Sequence, residues 1–215
     1  MNWKRARSPA KIEERRQAII DAAKKLFRKQ RYDQISLNII AEEAGFTKSN
    51  VYRYFASREE IFLTIYADLL RQWSDDILSF YGTLPKLASY EVFADGFSKL
   101  TQTHKDMLSL CSVFFVSLER NSSVEQLREF KKFTLDICIN HYIKIKLIYP
   151  KLTQDDVVLL LKLNYSAMAT LWCSSQSNKV FKKLNKEKEF QLVATDFGED
   201  LKKAIVVYLR GIVEK

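Results

Sequence analysis

Residues 36–60, SLNIIAEEAGFTKSNVYRYFASREE, read as two short helices joined by a tight turn and followed by the capped start of a third. Ser36 suits an N-cap, its hydroxyl accepting an orphan amide of the first turn. Leu37, Ile40, Ala41 and Ala44 fall at i, i+3, i+4 and i+7, which is one apolar helical face. Gly45 follows at the position just past the helix, where φ is often positive and a residue without Cβ costs least. Thr47 is a second N-cap, and Val51 with Phe55 makes the short inward face of the next helix. Ser57 and Glu60 form an S-x-x-E capping box that opens the third. Helix, glycine-bearing turn, helix is the arrangement whose second helix enters a major groove.

The charge of the chain is placed where that reading needs it. The 215 residues carry 35 Lys and Arg against 26 Asp and Glu, a formal net charge of +9. Residues 1–60 hold 14 of those cations against 8 acids, so most of the excess sits in the first quarter of the chain. A basic patch on such a motif is the footprint of phosphate binding, although a solvated helical surface is also rich in Lys and Arg.

Composition bounds the rest. With only 5 Gly and 3 Pro, and with β-branched residues rarely alternating, the chain is expected to be all-α, with about nine helices. No apolar run reaches the roughly 18 residues of a membrane span. The charged N-terminus lacks an apolar core of the signal-peptide kind, so a cytoplasmic protein with no membrane association is expected. Cys111, Cys138 and Cys173 are odd in number and far apart, and read as buried, reduced thiols. They form no spaced cluster with His104 and His141, so no metal and no cofactor is expected. No nucleophile–base pair or glycine-rich phosphate loop appears, which argues against an enzyme.

Periodicity places a first helix over about 11–29, with Ile19, Ala22, Ala23, Leu26 and Phe27 inward. Two short helices follow over about 37–44 and 48–54, then longer ones over 58–80, 89–104, 105–119 and 123–148. Two more run over 153–174 and 196–213, with a polar, lysine-rich connection over 175–195. The domains are expected at 1–57 (basic arm 1–10) and 58–215.

Residues 11–65 resemble the DNA-binding domain of the tetracycline-repressor (TetR) family of bacterial transcription regulators. The residues that carry the resemblance are Ile40-Ala41, Ala44-Gly45, Thr47-Lys48, Val51-Tyr52, Tyr54-Phe55 and Ser57-Arg58-Glu59. The chain departs from the family at Gln30 and Arg31, where a glycine usually turns the chain and strain is therefore expected. It departs again at Ile39, where a polar residue is usual. A second, weaker resemblance is that of Leu118–Phe133 to an interhelical junction in one group of such ligand-binding domains, and a well-capped turn explains these residues better, without any ligand.

Setting Val51 and Phe55 inward turns Ser49, Asn50, Tyr52 and Arg53 away from the core. The resemblance implies base-edge roles for Lys48, Ser49, Asn50 and Tyr52, with Asn38 from the preceding helix. Lysine suits guanine O6/N7 and asparagine suits adenine N6/N7, so Lys48 and Asn50 are the expected readers. Ser49 is equally a residue of mere steric clearance. Tyr54 and Arg58 look like the family's phosphate contacts, with Ser36 and Arg53 beside them, while Tyr54 also fits a core aromatic. Arg5 and Arg7 in the arm suit a minor groove, or an unattached tail.

The resemblance further implies a C-terminal domain that dimerises and senses a small apolar or amphipathic molecule. The partners expected are therefore duplex DNA, a second copy and an effector. Leu160, Met168 and Leu171 on the 153–174 helix, with Leu201, Ile205, Tyr208, Leu209 and Ile212 on the last, are the expected dimer contacts. Trp73, Phe97, His104, Cys111, Phe114, Phe115, His141, Tyr165 and Trp172 are candidates for an effector cavity, although aromatics at helical spacing also build plain cores. A regulator of the same fold with no small ligand is the alternative.

Overall fold

The computed structural model describes residues 9–176, 179–185 and 187–213, and among these every regular element is helical. Ten α-helices succeed one another: α1 Pro9–Phe27, α2 Leu37–Glu43, α3 Lys48–Val51, α4 Arg58–Thr83, α5 Tyr90–Thr103, α6 Lys105–Val113, α7 Val124–Ile148, α8 Gln154–Ser175, α9 Lys179–Leu184 and α10 Phe197–Val213. The added helix, α9, lies in the stretch expected to be a connection. Six residues are too few for periodicity to register. The sixth helix stops earlier than expected and passes into a π-helical turn, Phe114–Leu118. An apolar run such as Val113–Val116 carries no period that separates the two windings.

The ends of the helices follow from side-chain chemistry. Pro9 occupies the first position of α1, where its missing N–H is not needed. Ser36 Oγ accepts from Ile39 N (3.3 Å), Thr47 Oγ1 from Asn50 N (3.3 Å) and Ser57 Oγ from Glu60 N (3.1 Å). The Glu60 carboxylate reaches back one residue further than a capping box requires, to Ala56 N at 2.6 Å. Gly45 closes α2 at φ +69°. A Cβ there would meet no atom within 4 Å, so the conformation alone sets the cost of a side chain. Gly45→Ala is expected to lose about 1 kcal/mol of stability, measured as a lower urea midpoint at unchanged slope.

The chain divides into two compact units, each interrupted in sequence. The first holds the described residues up to Ala67 together with Phe115–Arg128. Its core is built from Ile19, Ala23 and Leu26 of α1, Ile35, Ile40 of α2, Val51 of α3, Phe55, and Ile61, Phe62 and Tyr66 of α4, all buried. Phe62 takes the rings of Phe27 and Tyr32 edge-on, at 5.6 and 4.9 Å between centroids.

The second unit holds Asp68–Phe114 and the described residues from Glu129 onward. Here α10 packs on α5 and α8, and α6 packs on α8. Lys202 of α10 bridges to Asp95 of α5 at 2.8 Å, and Arg210 bridges to Glu91 at 2.7 Å. Trp172 of α8 donates its indole N–H to Ser109 of α6 at 3.1 Å.

Of the expected dimer contacts, Leu160, Met168, Leu201, Ile205, Leu209 and Ile212 are buried against the core of the chain itself. Leu171 and Tyr208 are half-buried. The uncovered apolar side chains of this helix pair are instead Val158, Leu159 and Val207. Among the described residues, α8 is the one helix long and apolar enough to cross a membrane by length and composition, and only 28% of that stretch is buried. Lys162 and Asn164 interrupt its apolar run, which is why counting consecutive residues passes over it. The thiols also differ from expectation: Cys111 is buried, whereas Cys138 and Cys173 are exposed.

Candidate nucleic-acid interface

The outer surface of α3 is assembled from the inside. Val51 and Phe55 are 0% and 1% exposed and fix the rotation of the helix. Arg16 of α1 stacks its guanidinium 4.4 Å over the Phe55 ring and donates to the Tyr54 carbonyl at 3.4 Å, tying down the chain that leaves α3. With that rotation, Lys48, Ser49, Tyr52 and Arg53 are exposed and Asn50 is half-buried. The Lys48 ammonium lies 5.9 Å from the centre of the Tyr52 ring, so cation and phenol share one patch. Asn38 and Ser36 on the preceding helix are exposed as well. Tyr54 is half-buried. Arg5 and Arg7 lie outside the described residues.

Arg58, expected as a phosphate contact, is engaged by its own unit. Its guanidinium donates to the Ile35 carbonyl at 2.8 Å, the Tyr32 carbonyl at 3.4 Å and Glu59 Oε1 at 2.7 Å. It also stacks 4.4 Å over the Tyr32 ring, leaving the side chain 22% exposed. A fork with its donors spent on carbonyls and a carboxylate has little left for a phosphate.

Tyr32, which sequence reasoning passed over, is the centre of this node. Its hydroxyl lies 2.8 Å from Ser117 Oγ and 3.3 Å from Glu59 Oε1. Burial pushes the phenol above its usual range. Ser57 donates in turn to the Asn121 carbonyl at 3.1 Å. The segment after α6 therefore belongs to the unit that carries α2 and α3, through bonds spanning 64 and 85 residues of sequence. No local spacing signals such pairs. The strain expected at Gln30 and Arg31 is absent. Arg31 sits in extended backbone at φ −71°, and Leu87 is the one non-glycine residue with positive φ among those described.

In the second unit, the aromatic candidates separate. Trp73, Phe97, Cys111, Phe114, His141 and Trp172 are buried, while His104 and Tyr165 are half-buried. Phe115 is 54% exposed and belongs to the first unit. His104 bonds Asp76 at 2.9 Å at the start of α6. Trp73 donates to Thr101 at 3.0 Å and stacks flat on His141 at 5.5 Å between centroids. Ser74 Oγ meets His141 Nε2 at 2.9 Å, and burial lowers the imidazole pKa to about 4, so the ring is neutral near pH 7. A surface groove of about 360 Å³ lies elsewhere, between Leu87, Tyr149, Leu152 and the Glu91–Arg210 pair. None of the nine candidates lines it.

Comparison with known proteins agrees with this architecture. Residues 19–65 match the family described as bacterial regulatory proteins, tetR family, and residues 67–215 match the tetracyclin repressor-like C-terminal domain. An uncharacterized HTH-type transcriptional regulator of Bacillus subtilis, YfiR, is 40% identical over 53 residues, which are 24% of this chain and 26% of that protein. The HTH-type transcriptional regulator HbdR of an Aromatoleum species is 35% identical over 69 residues, 32% of this chain and 30% of that protein. The chain thus aligns with less than a third of the length of either relative. The Thermus thermophilus FadR crystal structure, a TetR-family repressor in complex with lauroyl-CoA, shares the fold at a TM-score of 0.59 and 16% identity, covering 92% of this chain and 94% of that one.

Proposed function

Since the chain belongs to the TetR family of helix-turn-helix transcriptional regulators, we propose that it binds a palindromic operator as a homodimer and represses transcription until a small apolar or amphipathic effector releases it. Residues 1–57 are the DNA-binding domain in this reading, and 58–215 the ligand-binding and dimerisation domain. The observation that carries it is the outer surface of α3, where Lys48, Ser49, Tyr52 and Arg53 stand clear of a core that fixes the helix. Lys48 and Asn50 read base edges, assisted by Ser49, Tyr52 and Asn38, and Ser36, Arg53 and Tyr54 contact phosphates. Arg5 and Arg7 follow the minor groove. The dimer forms over the uncovered apolar face of α8 and α10, which contains Val158, Leu159 and Val207.

Selection of bound duplexes from a random library, at stated salt, is expected to return a palindrome. Lys48→Ala or Asn50→Ala then costs about 1–3 kcal/mol at one base position and relaxes preference there. A sequence-independent loss in both variants would reduce these residues to phosphate contacts.

Effector release rests on the family and on the Thermus thermophilus protein, in which this fold holds lauroyl-CoA. The ligand binds one of two dimer states more tightly and so shifts operator affinity. The close ring contacts around Trp73, at 5.5 and 5.9 Å, favour the other reading, a regulator with no small ligand. Operator affinity measured with and without saturating ligand separates the two.

A further inference from the structure

Among the described residues, three buried side chains of the second unit carry polar atoms with no partner: Asn164 of α8 by itself, and His141 and Tyr81, which lie together. His141 of α7 is 1% exposed, and its Nδ1 makes no hydrogen bond; Tyr81 of α4 is 2% exposed, and neither does its hydroxyl. The two rings meet edge-on at 5.6 Å between centroids. An unpaired buried polar atom costs about 1–3 kcal/mol. Phenylalanine at position 81 would fill the same space without that cost, and His141 uses one of its two ring nitrogens, on Ser74. A core selected for stability alone has no use for the Tyr81 hydroxyl.

The surroundings state what would satisfy them. Around His141 and Tyr81 the rings lie in two families of near-parallel planes. Trp73 stacks on His141 at 14°, and Tyr81, Phe93 and Phe97 follow one another at 17° and 10°. The polar groups among them are hydroxyls and a neutral imidazole: Ser74 on His141 Nε2, and Thr101 on the Trp73 indole. Among the described residues, no charged side chain is bonded to or stacked on His141 or Tyr81, so an anion there would be desolvated without a counter-charge. A flat, uncharged ring meets planar apolar walls on its faces.

We propose that this cluster, where α4, α5 and α7 meet, is the effector site, and that it takes an uncharged aromatic molecule bearing one hydroxyl or N–H group, held by His141 Nδ1 and the Tyr81 hydroxyl. The inference rests on the effector-released reading above and narrows it. The bound ring parts Trp73 and His141 from their neighbours, and its polar group completes the two orphaned hydrogen bonds. Carboxylates and the phosphorylated part of an acyl-CoA are excluded from the cluster, because nothing in it neutralises them.

The test uses the full-length chain with phenol, indole, sodium benzoate and lauroyl-CoA as probes, at pH 8, by calorimetric titration and thermal shift. Phenol or indole is expected to bind and to raise the melting temperature, while benzoate does neither. Tyr81→Phe and the double variant Ser74→Ala/His141→Phe each remove polar partners as a set, keep the fold, and weaken that binding about tenfold. Binding of benzoate equal to that of phenol overturns the proposal, as does unweakened phenol binding in both variants or no binding of phenol and indole by the wild type. Operator release is read separately. Phenol that binds the cluster without releasing operator leaves the site standing and removes the effector reading. Release by lauroyl-CoA, unaltered in the variants, keeps the effector reading and sinks this site.

Discussion

Replacing Arg58 with alanine is expected to destabilise the DNA-reading unit by about 2–4 kcal/mol, without changing how its folded fraction responds to salt. The guanidinium satisfies the Ile35 and Tyr32 carbonyls and neutralises Glu59, which is itself only 14% exposed. Hydrogen bonds to charged groups contribute about 1.5–3 kcal/mol each, and breaking a fully buried pair costs about 3–5. The 22% exposure of Arg58 places the expectation below the upper end of that range. Lysine should rescue little, because a single ammonium cannot reach both a carbonyl and a carboxylate as the planar fork does. Chemical denaturation followed by circular dichroism measures the loss. The logarithmic salt dependence of operator binding decides the role: a phosphate contact lowers that slope by about one on removal, whereas a structural residue leaves it alone. Unchanged stability with a reduced slope would return Arg58 to the DNA surface.

Acidification is expected to produce the second large effect, in the other unit. Burial holds the His141 imidazole at a pKa of about 4, against 6.5 for the free side chain. Between those values the unfolded chain binds the proton and the folded chain does not. Stability therefore falls as pH drops from about 6.5 to 4 and levels below it, by a total of about 3 kcal/mol. The groups facing the ring are Trp73, Ser74 and Tyr81, none of which accepts the positive charge as a carboxylate would. Carboxylates elsewhere also titrate, so the measured quantity is the difference between the wild type and Ser74→Ala/His141→Phe across pH 7 to 4. A flat difference would mean that His141 is reached by water in the folded state.

What the sequence discloses is local, and what it hides is pairing. Ser36, Gly45 and Thr47 act within four residues of themselves, as does the cap Ser57 makes to Glu60 N, so the caps and the turn of the motif are legible in order and type. Arg58 stands beside the same motif, yet its partners Tyr32 and Ile35 come from the previous turn of the chain, and a charge next to a DNA-binding helix reads as a phosphate contact by default. Leu160 and Leu209 show a related limit. Periodicity says that a helical face is covered, but a stripe covered by α5 or α6 has the same pattern as one covered by a second copy. Phe115 stands in the π-helical turn, whose winding an apolar run does not announce. His141 and Trp73 stand out in the sequence as aromatic candidates, but no sequence pattern shows that one imidazole nitrogen lacks a partner.

The bonds from Tyr32 to Ser117 and from Ser57 to Asn121 also set an order of events during synthesis. Ala67 leaves the ribosome about fifty residues before Phe115, so the early part of this unit exists for a time without its late part. At bacterial elongation rates of about 5–20 residues per second, that interval is roughly 3–10 seconds. Throughout it, Tyr32 and Ser57 lack partners that the finished fold supplies, and a helix-turn-helix already long enough to meet DNA is incompletely braced. The finished bracing of α2 and α3 therefore includes residues synthesised well after them.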